Sequence, residues 1–243
     1  MKLYKVMSLP IVQVLLGFFI FGLFSLLLIV ETIVFAAFFT VVACGAADQV
    51  ARKFVSDRLC SVLLAATVSL SGFSSKLQIV ILAVGGALLA SGLISIVGGG
   101  GAKKSAITAT HLVIAWLPAG LAGASVSLLS IKDQQTLGLL FVTAAVFDST
   151  IYLMGSSKRR WLGPLLGSVG SLGLIYTTNE LNLLSVAPNY LEQFALVMLI
   201  SVNISWLASQ YLAQKPGWAI RRIGCYIVSG MSCYLLIGAT VGY

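Results

Sequence analysis

The stretch AAVFDSTIYLMG (144–155) sets an aspartate, Asp148, inside an apolar run with no lysine or arginine beside it. An aspartate at the centre of a membrane helix costs about 2.5–3.5 kcal/mol. Protonation, an ion-pair partner or a water-filled path would relieve that cost. No cation falls at matching depth in the other apolar runs, which leaves a neutral hydrogen-bonded carboxyl or one lining a hydrated path. Tyr152 follows one turn later on the same helix face. A titratable group on a solute or ion path is the chemistry this pattern points to.

Three other polar residues stand in similarly apolar surroundings. His111 is the only histidine, and a lone histidine assembles neither a bis-histidine haem site nor a histidine-rich metal site. It reads as a proton-relay or solute contact, or as a hydrogen-bonded packing residue. Pro118, a turn or two further on, removes a backbone hydrogen bond and predicts a kink. Asn203, in SVNISWLASQ (201–210), is unusual in lipid and is expected to face inward. Glu31 interrupts the near-continuous apolar stretch 9–47 and is expected at an extracytoplasmic turn. The basic run SSKRRW (156–161) is a cytoplasmic loop, and Lys158, Arg159 and Arg160 suit contact with lipid phosphates.

Other motifs carry less. GGGGAKKS (98–105) has Lys103 where a phosphate loop requires glycine, and reads as a flexible cytoplasmic loop. VVACGA (41–46) resembles a lipoprotein cleavage box, but the apolar stretch before it is too long for a signal peptide and contains Glu31. Cys44, Cys60, Cys225 and Cys233 lack the spacing of a metal or disulfide framework and read as packing residues. GMSCYLLIG (230–238) resembles the glycine-flanked helix of LysE-type amino-acid exporters. Their first-helix proline-glycine-proline signature has no counterpart here, so the likeness is compositional and assigns no family. No cofactor or metal is implied.

The elements that position these residues follow from composition. Of 243 residues, 59% are hydrophobic and 9% charged, against roughly a quarter charged in soluble domains. So little polar surface cannot coat a water-soluble particle, and the net charge of +8 is dispersed between apolar runs, which argues against a nucleic-acid partner. The sequence therefore predicts an all-α polytopic bundle: one transmembrane domain, no soluble domain, in the cell (inner) membrane, surrounded by lipid.

Apolar runs of spanning length fall at 9–28, 32–47, 59–74, 77–98, 106–130, 137–155, 162–178, 192–213 and 223–242. These nine spans put all but two of the fifteen lysines and arginines on one side, the exceptions being Lys76 and Lys132. The positive-inside rule makes that side, with the N-terminus, cytoplasmic. Merging the first two runs into one bent helix leaves eight spans and a poorer separation.

Small residues four apart predict close helix packing. They occur at Gly163, Gly167 and Ser171, at Gly120 with Ala124, at Gly123 with Ser127, and at Gly86 with Ala90. The first of these faces is also a candidate for joining other membrane subunits or a second copy. The leading expectation is a small secondary transporter or permease, proton-coupled through Asp148. The alternative is a non-catalytic subunit or assembly factor of a membrane complex. A membrane-embedded lipid-modifying enzyme ranks third, because acids, bases and histidines do not cluster at one face.

Overall fold

The computed structural model describes residues 22, 26, 31–54, 57–99, 101–132, 134–154, 161–181 and 191–212. Among these the chain is all-helical, with no strand. Seven α-helices follow in order: α1 Thr32–Phe54, α2 Arg58–Ser71, α3 Leu77–Val97, α4 Gly101–Lys132, α5 Gln134–Met154, α6 Leu162–Glu180 and α7 Leu191–Leu212. A 3-10 turn, Gly72–Ser74, extends α2.

Three described helices are long and apolar enough to cross a membrane: Ile33–Arg52, Leu77–Val97 and Gly101–Lys132. Burying a backbone in lipid demands that its amides and carbonyls be satisfied internally, which a helix achieves by itself. The predicted runs at 9–28 and 223–242 lie outside the described residues, apart from Gly22 and Leu26, which are helical.

Two expectations are corrected at helix ends. The loop predicted at 98–105 is helical from Gly101, where α4 begins, so Lys103 and Lys104 lie in its first turn. Gly99 and Gly101 take φ of 70° and 82°, a region glycine enters without a Cβ clash. The segment expected to connect the second and third runs is mostly the end of α1, which reaches Phe54. Its Asp48 pairs with Arg52 at 2.7 Å and with Arg58 of α2 at 2.7 Å. Charge ends a membrane-compatible run but does not end a helix, and that explains both overruns. Pro118 lies within α4, which continues through it without interruption.

The 32-residue α4 is about 48 Å long at 1.5 Å per residue. From Ala119 to Ser130 almost every residue is buried, whichever way it points. This small-residue segment is the axis around which the other helices gather. On one side Ala65, Val68 and Ser69 of α2 approach Gly120 and Gly123, and the Ser69 hydroxyl donates to the Gly120 carbonyl. The backbone of Ala124 fills the space a side chain on Gly72 would need, so this crossing requires glycine there. On the other side Phe35, Ala36 and Phe39 of α1 join Ala122, Val126 and Leu129 in a core that continues through Leu137 and Phe141 of α5 to Phe194 and Met198 of α7.

The α3 helix joins the bundle along one narrow seam. Val80, Ala87, Ser91 and Ser95 are buried, and the Trp116 indole of α4 donates to Ser91 Oγ at 2.8 Å. Ala83, Val84 and Ile94 are half-buried beside that seam, and Leu82, Leu89 and Leu93 face outward. Gly86 belongs to that outer face: a Cβ there would meet nothing within 4 Å. Among the described residues Gly86 has no packing neighbour.

Candidate functional site

The predicted site residues divide between two places. Asp148 and Tyr152 lie in the second half of α5. On either side of Asp148, Ala144, Phe147 and Ile151 pack with Val202 and Trp206 of α7. Asn203 lies between those two α7 residues, so Asp148 and Asn203 occupy the same layer of the bundle. α7 presents this layer because Phe194, Ala195, Met198, Val202 and Trp206 recur at helical spacing and are all buried, which fixes the inward side of the helix.

The third wall is α6. Gly163 and Gly167 are buried against α5: a Cβ on Gly163 would lie 3.0 Å from the Ile151 Cα, and one on Gly167 would lie 2.6 Å from Thr150 Oγ1 and 2.7 Å from the Phe147 ring. Ser171 is fully buried on the same face. The smooth face expected to receive a partner is therefore covered by α5 of the same chain. The residue after Gly167 turns to α7 instead, and Asn203 Nδ2 donates to Ser168 Oγ at 3.0 Å. Its other hydrogen goes to the Leu199 carbonyl at 2.8 Å. The amide has then spent both donors and keeps its carbonyl oxygen as an acceptor.

Near one end of this three-helix wall, Trp161 meets Trp206 edge-on with ring centroids 5.5 Å apart. Lys158, Arg159 and Arg160, which precede Trp161 in the sequence, lie outside the described residues.

His111 is elsewhere. It sits in the first half of α4, half-buried, with its ring 5.3 Å from that of Phe54 at the end of α1. The two rings meet at a tilt of 33° and join α4 to α1. Glu31 is exposed just before α1, and its carbonyl accepts from the Phe35 amide, as expected for a residue at a helix start. Among the described residues no group of three histidine, cysteine, aspartate or glutamate side chains could hold a metal ion.

Two polar contacts were missed from sequence. Ser168 was hidden in a glycine-rich face that reads as packing alone, although a serine within such a face is itself a signal. The Ser91–Trp116 pair had a fainter one, a hydroxyl in the otherwise apolar α3. Comparison with protein-family models, with curated proteins and with solved structures found no match.

Proposed function

We propose that the chain is a nine-span protein of the cell (inner) membrane, N-terminus cytoplasmic, that moves a small solute or ion, with Asp148 as the group that takes up and releases a proton. The observation that carries this reading is the layer of α5, α6 and α7 in which Ala144, Phe147 and Ile151, the α5 residues flanking Asp148 in sequence, pack with Val202 and Trp206, next to the Asn203–Ser168 bond. Intramembrane ionisable residues mark proton and solute paths more often than they serve packing. The Asn203 amide keeps its carbonyl oxygen as an acceptor within that layer. The charge distribution supports the orientation. Lys76 and Lys132 lie at one end of the α1–α4 bundle, while Arg52, Arg58, Lys103 and Lys104 lie at the other.

The test is Asp148→Asn in proteoliposomes under an imposed proton gradient, screened against small solutes that the wild type accumulates. Loss of gradient-driven uptake is expected; uptake at the wild-type rate refutes the role of Asp148. A second reading, a non-catalytic subunit of a membrane complex, draws on the outward apolar face of α3, where Gly85 and Gly86 meet no neighbour among the described residues. A stoichiometric partner retained through mild detergent extraction, with no uptake of any solute, favours that reading.

A further inference from the structure

We infer that the groove between the end of α3 and the start of α4 holds an acyl chain of one anionic phospholipid, whose phosphate sits at Lys103. Gly92, Ser95 and Ile96 line it from α3, and Ala102, Ala106 and Ala109 from α4. Its volume is about 540 Å³ and it is open along one side, within the roughly 300–1,000 Å³ of small-ligand sites. Small side chains at helical spacing on both walls create the hollow, because neither helix has the bulk to fill the space between them.

The groove is apolar where a chain would lie. Ser95 Oγ donates to the Gly92 carbonyl at 2.7 Å and so is turned back onto its own helix. Gly92 to Gly99 spans about 10 Å at helical rise, so the groove occupies the outer part of one leaflet and opens at its headgroup level. At that mouth the chemistry changes sign. Lys103 and Lys104 are exposed beside the lining residues, and α4 has no acidic residue in its first turn. The free amides of the helix start add a further positive pole, favourable to phosphate.

Apolar chain below and cationic mouth above describe an anionic lipid. A second copy of the chain is the poorer occupant, since it would bring a second Lys103 and Lys104 against the first pair. The inference rests on the membrane placement proposed above and is independent of transport.

The full chain is reconstituted in bilayer discs of equal phosphatidylcholine and phosphatidylglycerol, released into mild detergent and weighed by native mass spectrometry. One retained phosphatidylglycerol is expected, with Lys103→Gln lowering its preference over phosphatidylcholine about five-fold, the effect of one lysine near an anionic surface. Gly92→Leu is expected to abolish the adduct. A Cβ at Gly92 meets nothing within 4 Å, so this variant fills the groove and should melt with the wild type. Equal retention of both lipids, an unchanged adduct in Gly92→Leu, or a dimer in place of the adduct overturns the inference. An alkaline carbonate wash separates the two failures. A chain that resists the wash but keeps no lipid removes the groove alone, whereas a chain that washes off removes the membrane placement as well.

Discussion

Gly167 and Gly173 lie six residues apart in α6, and the structure gives their alanine substitutions opposite signs. A Cβ on Gly167 would stand 2.6 Å from Thr150 Oγ1 and 2.7 Å from the Phe147 Cδ2, where ordinary contacts are about 3.5–4.0 Å. Neither neighbour retreats easily. Phe147 is fully buried, and the Thr150 hydroxyl is held by the Phe147 carbonyl at 2.7 Å. Overpacking of this kind costs about 1–3 kcal/mol. A Cβ on Gly173 meets nothing within 4 Å, so that substitution brings only the helix-propensity gain of about 0.8–1 kcal/mol. Both variants exchange glycine for alanine in one helix, so the propensity contribution cancels between them and the difference isolates the contact with α5. At about 2–4 °C per kcal/mol for a chain of this size, Gly167→Ala should melt at least about 2 °C below Gly173→Ala. The assay is thermal unfolding in one detergent, followed by tryptophan fluorescence. Gly167→Ala melting at or above Gly173→Ala would refute the packing of α6 on α5, and with it the layer that contains Asp148.

Ser91→Ala leaves the buried Trp116 indole N–H without the acceptor it has at 2.8 Å. It should lower stability by about 1–3 kcal/mol, read by the same thermal unfolding. Asn203→Ala and Ser168→Ala should be non-additive, because they share one hydrogen bond across α6 and α7. A double-mutant cycle should return a coupling of about 0.6–1.7 kcal/mol, the range of such bonds between membrane helices; strictly additive losses would remove the contact. Asp148→Asn should abolish proton-driven uptake while leaving the fold intact, measured in proteoliposomes with a melting curve as control.

Among the described residues most helix positions were legible to within a few residues, because a long apolar run satisfies its backbone most simply as a helix. The run at 77–98 became Leu77–Val97, and the run at 162–178 became Leu162–Glu180. The overruns at α1 and α4 arose because Arg52 and Lys103 mark where apolar composition stops, while helical hydrogen bonding continues past them. Close packing through glycine was legible too, but its partner was not. A helix apolar on every side gives no signal of which side meets its own chain. Gly163, Gly167 and Gly86 all read as packing faces; the first two pack on α5, whereas Gly86 meets no neighbour among the described residues.

The candidate site shows the same division. Sequence alone singled out Asp148, His111 and Asn203, because a polar group in an apolar run is conspicuous whatever surrounds it. Tertiary structure alone decided that the α5 residues around Asp148 pack with the α7 neighbours of Asn203, while the His111 ring meets that of Phe54 at the end of α1. Composition and period determine that helices form and how long they are, since those depend on a helix's own backbone and its solvent. Which residues become neighbours depends on how side chains of different helices interlock, and that is a property of pairs that no single run of residues contains.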